Sequence, residues 1–451
     1  MNLKPHSQSI QQSARKLNVK FVITSMPVGG AETLLVNLIR HMDKSAFSPE
    51  VVCLKEPGEL GNELASEIPV YANMLPSKWD VSILPRLAYL FRRTQTDAVI
   101  TVGAGDKMFW GRLAAKMARV PVICSALHST GWPDGVGRLN RLISPLTDGF
   151  IAVARKHAEH LVQYEGFPAE RVYTIPNGVD INRFRPNHVE RAWLRTELGI
   201  AEDAQVVGIV AALRPEKNHG QFIKAAREVL RHHPNTHFVI VGEGPERTTI
   251  EESLSEYRYR AHFHLMGNRS DTERILAGLD LFCLTSRNEA NPVSILEALA
   301  CCVPVASTNV GSISETVIDG KTGILTQPLK WEETAAAMLG VLHDTRLAAR
   351  MGRAGRVLVR DNWSLQAMVQ GYEMLIESIF NDKAESKGRN RWQRPVRPIS
   401  GASVHSGSAH NRSAHNCPIR GISNQVDPGA PWTGLPISEF AEYHAPQALT
   451  P

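Results

Sequence analysis

The chain has 451 residues, of which 43% are hydrophobic and 21% are charged, and its formal net charge is +5. These values are ordinary for a globular protein with room for two cores, and the small charge gives no argument for nucleic-acid binding. The six cysteines show no metal-ligand spacing, which favours reduced thiols in a cytoplasmic protein. No apolar run approaches the roughly 20 residues that span a bilayer, and the polar N-terminus lacks a signal-peptide core.

Short apolar runs rich in valine and isoleucine alternate with helical patterns along most of the chain. In the first half they predict strands at 19–24, 50–54, 97–102, 120–126 and 149–154, with helices at 31–41 and 110–119. In the second half they predict strands at 205–213, 237–241, 262–266, 279–284 and 303–307, with helices at 220–232, 246–256 and 293–300. Two blocks of strand–helix alternation predict an α/β protein with two doubly wound domains.

Candidate ligand-binding residues follow several of these predicted strands. Gly29 and Gly30 let the backbone approach a ligand closely, although a tight strand–helix turn also needs glycine. His128 follows the fourth strand and is either functional or simply structural. Arg214 and Lys217 follow the first strand of the second half, where two cations neutralise a diphosphate or form an exposed basic turn.

Two familiar nucleotide-binding devices are missing. The turn at 241–245, Val-Gly-Glu-Gly-Pro, lacks the third glycine of a dinucleotide fingerprint. The chain also contains no Asp-x-Asp sequence, so a diphosphate clamped by a metal ion is not indicated.

Glu289 and Glu297 lie eight positions apart across a predicted loop–helix junction, in Glu-Ala-Asn-Pro-Val-Ser-Ile-Leu-Glu. Pro292 suits the first turn of the helix, because its missing N–H would have no partner there. A phosphate placed before Pro292 would meet free N–H groups and the positive end of the helix dipole. Two carboxylates beside it can accept hydrogen bonds from sugar hydroxyls, which suits a sugar joined to a nucleotide diphosphate.

This segment resembles the E-x7-E signature of the group 1, or GT4, retaining glycosyltransferases. The resemblance continues through 303–315 and the Asp-Gly-Lys-Thr-Gly at 319–323, and it covers about residues 19–380. It implies the GT-B fold, in which two Rossmann-like domains face a central cleft. It also implies transfer of a hexose, with retention, from a UDP-, GDP- or ADP-linked donor to a glycan, polysaccharide precursor or lipid-linked acceptor. No cofactor and no metal ion are implied.

The resemblance assigns roles to individual residues. It implies that Glu289 holds sugar hydroxyls, that Lys217 with Arg214 stabilises the leaving diphosphate, and that His128 contacts the transferred sugar. Glu297 would bind the ribose hydroxyls. The remaining implied donor-binding residues are Gly29, Gly30, Asn291, Pro292, Val293, Ser294, Gly267 and Arg269.

The sequence departs from the family pattern at three positions. Ala212 stands where the family usually has the arginine, two residues before Arg214. Asn291 stands in Glu-Ala-Asn-Pro where Glu-Gly-Phe-Pro is usual, which puts its side chain near the sugar. Cys302 occupies a helix-end position where glycine tolerates a positive φ.

Turn signals, composition and the family pattern together set the expected domain limits. We expect a disordered N-terminus at 1–18, an acceptor-side domain at 19–186 and a nucleotide-sugar domain at 187–361. The family pattern makes 362–381 a helix that crosses back onto the first domain. Residues 382–451 are rich in Ser, Pro, Gly, His and Arg without periodicity, which predicts a disordered tail.

Other interpretations stay open at this stage. A nucleotide-sugar epimerase on the same fold would need an acid–base set at the sugar, and a non-catalytic scaffold would need only the shape. The basic, partly amphipathic stretch at 79–93 is a peripheral contact with the inner membrane surface or a solvated helix face.

Overall fold

Two parallel β-sheets form in the part of the chain that the structure, a computed structural model, describes. The described residues are 15–75, 77, 80–103, 105–128, 137–255 and 259–386, without the side chains of 106 and 137–139. The central strands of each sheet are mostly apolar and buried on both faces, as expected when helices cover both sides of a parallel sheet.

The first sheet is built from the first half of the chain. Its strands are β1 (Leu17–Ile23), β2 (Phe47–Cys53), β3 (Val70–Tyr71), β4 (Ala98–Val102), β5 (Val122–Ala126), β6 (Gly149–Ala152) and β7 (Val172–Thr174). They are arranged in the order β3-β2-β1-β4-β5-β6-β7. The accompanying helices are α1 (Gly30–His41), α2 (Gly58–Leu64), α3 (Ile83–Arg93), α4 (Asp106–Ala118), α5 (Gly137–Leu142) and α6 (Arg155–Gln163).

The second sheet has the order β10-β9-β8-β11-β12-β13. Its strands are β8 (Gln205–Val210), β9 (Thr236–Val241), β10 (Phe263–Gly267), β11 (Leu281–Leu284), β12 (Val305–Thr308) and β13 (Gly323–Thr326). Its helices are α7 (His188–Leu198), α8 (His219–His232), α9 (Arg247–Ser255), α10 (Thr272–Gly278), α11 (Val293–Ala300), α12 (Ile313–Thr316), α13 (Trp331–His343) and α14 (Thr345–Asn362). The strand order reverses beside the earliest strand of each sheet, which is where ligands bind in doubly wound folds.

The last described helix, α15 (Leu365–Ser386), packs against the core of the first sheet rather than the second. Its buried face includes Met368, Tyr372 and Ile376, at the spacing that keeps side chains on one side of a helix. Two backbone hydrogen bonds hold the chain where it crosses back to the first sheet. Val179 N–H donates to Trp363 O and Leu365 N–H donates to Val179 O, both at 2.9 Å.

The structure corrects both expected disordered ends where they meet the folded chain. β1 begins at Leu17, which is 3% exposed, and the N–H of Asn18 donates to the Asp97 carboxylate at 2.9 Å. α15 continues to Ser386, because Lys383 pairs with Asp148 at 2.5 Å and anchors the last turn. The rest of the two segments, 1–14 and 387–451, lies outside the described residues.

The predicted elements otherwise match in type, and the differences are short. Three strands of two to four residues were missed, β3, β7 and β13. Their brevity explains the omission, because two to four residues give no periodicity to read. Within the described residues, no helix is long and apolar enough to cross a membrane.

Candidate functional site

Loops at the carboxyl ends of strands from both sheets carry the candidate residues. The glycine loop follows β1, His128 follows β5, Lys217 follows β8 and Glu289 follows β11. Hydrogen bonds join the two halves at this edge, including one from Asn177 Nδ2 to Asn291 O at 2.9 Å. The residues therefore meet at the edge where parallel sheets bind ligands.

Lys217 and Glu289 form an ion pair just before α11. Lys217 Nζ donates to Glu289 Oε1 at 2.5 Å, and Ser286 Oγ donates to the same oxygen at 2.7 Å. Their side chains are 23% and 9% exposed. Removing either partner would leave the other charge with little water, which is costly. The sequence placed both residues in the site, and the structure adds that they contact each other directly.

Neighbouring loops hold the Glu289 loop in place. Arg287 N–H donates to Glu216 O at 2.8 Å, which ties the loop to the turn that carries Lys217. Gly311 has φ +53°, and a Cβ built on it would lie 1.7 Å from the carbonyl oxygen of Glu289. Only glycine allows so close an approach, so Gly311 fixes the backbone position of Glu289.

The start of α11 differs by one residue from the prediction. Pro292 is the N-cap residue rather than the first helical residue, and α11 begins at Val293. No side chain caps this end. The first N–H groups of a helix have no intrahelical partner, so those of Val293 and Ser294, together with the helix dipole, can bind an anion.

Glu297 lies one turn inside α11 and is half-buried. Burial raises the pKa of its carboxyl to about 7, a shift that Arg183 opposes and Glu273 reinforces. The group therefore changes protonation near neutral pH, and either form can make hydrogen bonds to hydroxyl groups.

His128 and Asn291 are linked through Asn177. A hydrogen bond joins the side chains of His128 and Asn177, and Asn177 in turn donates to the backbone of Asn291. Burial, together with a smaller effect of the positive charge of Lys107, lowers the pKa of His128 to about 4, so the imidazole is neutral at neutral pH. The nearby loop at 129–136 lies outside the described residues.

The glycine loop brings a carboxylate that the sequence left without a role. Gly29 is the N-cap of α1, and a Cβ built on it would lie 2.4 Å from Glu32 Oε2, so the carboxylate folds back over the loop. Burial raises the pKa of Glu32, and the charges of Lys107 and Arg214 oppose that shift. The Arg214 side chain itself is exposed.

Gly267 and Arg269 lie at the end of β10. Gly267 has φ +66°, and its carbonyl accepts from Gly242 N–H at 2.9 Å. The Arg269 guanidinium pairs with Asp271 at 2.7 Å and Glu197 at 3.2 Å, and the Asp271 hydrogen bond raises its pKa above the usual range. Arg269 is thus engaged in ion pairs within its own domain.

Two further residues of this edge were given no role by the sequence. Glu315 of the second half accepts hydrogen bonds from the N–H groups of Arg155 and Lys156, at 3.0 and 2.7 Å, and so caps α6 of the first half. His219, the first residue of α8, is buried beside Lys217, and both ring nitrogens lack a partner within the described part of the chain. Pairings across separate sequence segments leave no local pattern, so neither could be read beforehand.

The described ranges contain no assembled metal site and no disulfide. No group of three or more His, Cys, Asp or Glu side chains there has a metal-binding arrangement. The five cysteines in those ranges, at 53, 124, 283, 301 and 302, are free thiols.

Two Rossmann-like domains whose strand-end loops meet at one edge are the arrangement of the GT-B fold. Sequence comparison agrees. The family described as "Glycosyltransferase Family 4" matches residues 28–183, and "Glycosyl transferases group 1" matches residues 191–358. The chain belongs to the group 1 (GT4) glycosyltransferases.

Individual relatives are also named as glycosyltransferases. "Putative glycosyltransferase EpsF" of Bacillus subtilis is 26% identical over 76% of this chain and 90% of its own length. A GDP-mannose-dependent alpha-(1-6)-phosphatidylinositol monomannoside mannosyltransferase of Mycolicibacterium smegmatis is 29% identical over 74% of this chain and 89% of its own.

A solved structure shares the fold. Anabaena Alr3699/HepE in complex with UDP and glucose superposes with a TM-score of 0.71 at 22% identity, covering 80% of this chain and 99% of the other.

Proposed function

We propose that this protein transfers a hexose from a nucleotide diphosphate sugar to a hydroxyl acceptor, with retention at the anomeric carbon and without a metal ion or cofactor. The observation that carries the proposal is the Lys217–Glu289 pair beside the uncapped start of α11. A diphosphate at that start would meet helix N–H groups and a lysine, which together balance its charge as it leaves.

Retention is supported by the resemblance to the retaining GT4 enzymes, and a front-face step gives it without a nucleophile from the protein. Glu289 Oε1 already accepts from both Lys217 and Ser286, so this carboxylate is suited to hold sugar hydroxyls rather than attack carbon. In the proposed step the acceptor oxygen bonds to the anomeric carbon on the face that the phosphate leaves. The bond from that carbon to the phosphate oxygen breaks, and the leaving phosphate takes the hydroxyl proton.

The proposed donor is UDP-, GDP- or ADP-linked. HepE binds UDP and glucose, and the mycobacterial relative uses GDP-mannose. Glu297 would bind the ribose, and Arg214 would approach the diphosphate from the exposed side. A nucleotide-sugar epimerase and a non-catalytic scaffold are less well supported, because the relatives are transferases.

The proposed acceptor is a glycan or a lipid-linked sugar, and contact of α3 with anionic lipid would bring a lipid-linked acceptor close. The exposed side of α3 includes Tyr89 at 64% exposure together with Arg86, Arg92 and Arg93. An aromatic side chain among arginines suits the surface of anionic lipid. We expect co-sedimentation with phosphatidylglycerol vesicles to fall in the double variant Arg92→Glu, Arg93→Glu. The matched control, Arg350→Glu with Arg353→Glu on α14, should leave it unchanged.

The central test is binding and transfer. One of UDP, GDP and ADP should raise the melting temperature in the presence of EDTA, because a ligand that binds only the folded state stabilises it. The matching sugar donor should then give a glycoside whose anomeric configuration, read by NMR, equals that of the donor. Loss of binding in EDTA would contradict the metal-free mechanism, and an inverted product would contradict retention.

A further inference from the structure

Asn291 is a buried residue whose side-chain amide has no hydrogen-bond partner among the residues that the structure describes. The residue is 6% exposed, and neither Oδ1 nor Nδ2 finds a partner in the part of the chain that the structure describes. Its backbone carbonyl, in contrast, accepts from Asn177 Nδ2 at 2.9 Å. The main chain is fixed, while the side chain keeps one unused acceptor and one unused donor.

Asn140 shows the ordinary arrangement in the same protein. It is 4% exposed, its Oδ1 accepts from Arg112 Nη2 at 2.6 Å, and its Nδ2 donates to Gly105 O at 3.2 Å. Buried amides normally have such partners, because a buried polar group without one destabilises the folded state. An exception at a binding edge indicates groups that a ligand completes.

The position of Asn291 restricts what that ligand group can be. Asn291 lies two residues after Glu289 and immediately before Pro292, between the buried ion pair and the start of α11. His128 Nδ1 is another buried atom without a partner in the described ranges, and His128 is joined to Asn291 through Asn177. Buried hydrogen-bonding groups without a partner in the described ranges thus occur in both domains, on loops that carry the candidate site.

We propose that the Asn291 side chain selects the transferred sugar by pairing with two neighbouring hydroxyl groups of its ring. The proposal rests on the function proposed above and adds a specificity-determining residue to it. A carboxamide presents a donor and an acceptor side by side, and a pair of adjacent hydroxyls offers the complementary acceptor and donor. A phosphate offers acceptors only and would leave Oδ1 unpaired, so the amide is suited to the sugar rather than to the diphosphate.

The first test needs no substrate. Asn291→Leu removes the unpaired amide at similar volume and should raise the melting temperature of the unliganded protein by about 2–6 °C. The matched control, Asn140→Leu, removes a paired amide and should lower it. If Asn291→Leu lowered the melting temperature as Asn140→Leu does, the amide would already be satisfied in the free protein, and the proposal would be overturned.

The second test reads the sugar directly. UDP-glucose, GDP-mannose and ADP-glucose are offered to the wild-type protein, and the one consumed is compared with its monodeoxy analogues, one for each hydroxyl carbon. We expect kcat/KM of the wild type to fall by about 100-fold or more for the analogues that lack either of two adjacent hydroxyls. In Asn291→Leu the same analogues should lose less than about 5-fold. Equal discrimination in both proteins would overturn the proposal.

A nucleotide control separates this inference from the proposed function. The matching nucleoside diphosphate should bind wild type and Asn291→Leu with equal affinity, because it lacks the sugar that Asn291 reads. Absence of nucleotide binding in the wild type would contradict the proposed function, whereas weaker nucleotide binding only in Asn291→Leu would contradict the role of Asn291.

Discussion

The two domains reach the same site in different ways. In the second domain, Glu289, Asn291, Pro292 and Glu297 come from one continuous loop and helix, α11, with Lys217 added from the β8 turn. In the first domain, the contributions come from separate loops after different strands: Gly29 with Glu32, His128, and Asn177. Residues on a single segment leave a spaced motif in the sequence, whereas residues gathered from several loops leave only separate local signals.

This difference between the domains predicts which substitutions lower the transfer rate most. Lys217→Met should lower transfer by about 100- to 1,000-fold, the range for losing one group that stabilises developing charge. His128→Ala removes only neutral hydrogen bonds and should lower transfer by about 3- to 10-fold. Transfer rates at saturating donor check both, with circular dichroism for folding and Lys217→Arg as the charge-preserving control. A larger loss in His128→Ala would reverse the comparison.

Glu297 supplies the next largest effect, on affinity rather than turnover. Glu297→Gln should weaken donor binding by about 10- to 100-fold, as expected for losing a hydrogen bond to a charged group. Because the pKa of Glu297 is raised to about 7, donor affinity of the wild type should rise as the pH increases through 7 and the carboxylate forms.

Calorimetry across this pH range checks the titration. In Glu297→Gln the profile should be flat, and an equally steep profile would assign the titration to another group. Stability should move in the opposite sense. A raised pKa contributes stability that is complete below the unfolded value of 4.5 and is lost as the pH rises through 7.

Acid should destabilise the second domain more than the first. Burial lowers the pKa of His219 and His237 to about 4 and also lowers that of His264, all in the second domain, whereas His128 is the comparable histidine of the first. The folded protein then binds fewer protons than the unfolded chain, so stability falls as the pH drops from 6.5 towards 4.

Calorimetry at a series of pH values should show the second domain melting first in acid. His237→Gln should reduce the difference between the melting temperatures of the two domains in acid. His237 lies against His264 and His262, and their positive charges repel one another when protonated. A first domain that melts earlier in acid would contradict the assignment.

Weakening the contact between the domains should have a smaller effect than the changes above. Glu315→Ala removes the carboxylate that caps α6 and should destabilise that contact by about 0.5–2 kcal/mol, the usual cost of a lost helix cap. Small-angle scattering should show a more open average arrangement, while Glu315→Gln, which keeps an acceptor oxygen, should stay close to wild type. Unchanged scattering in Glu315→Ala would show that other contacts hold the domains together.

The smallest predicted effect is a gain in stability from replacing one residue of positive φ in each domain by glycine, and the gain should be equal in the two domains. Cys302 has φ +61° after α11, and Arg119 has φ +60° at the end of α4. Glycine adopts this left-handed conformation without strain, so Cys302→Gly and Arg119→Gly should each stabilise by up to about 1 kcal/mol. Urea unfolding measures both variants, and opposite signs would show that side-chain packing outweighs backbone strain at one of them.

The sequence by itself determined the fold class, the two blocks of alternation and the family. Buried parallel strands are continuous apolar runs, and the E-x7-E segment keeps its spacing on one loop and helix. Glu289, Lys217 and the helix start at Pro292 were therefore readable, within one residue at the helix start. Hydrophobic periodicity needs several residues to register, which is why β3, β7 and β13 were missed and the ends at Leu17 and Ser386 were misjudged.

Only the tertiary structure decided which distant residues touch. The Lys217–Glu289 ion pair, the Glu315 cap on α6 and the bond from Asn177 to Asn291 join positions 72 to 160 residues apart. The unpaired amide of Asn291 is likewise a property of its surroundings. Whether a buried donor or acceptor has a partner depends on side chains that folding brings from elsewhere, and no local pattern in the chain records it.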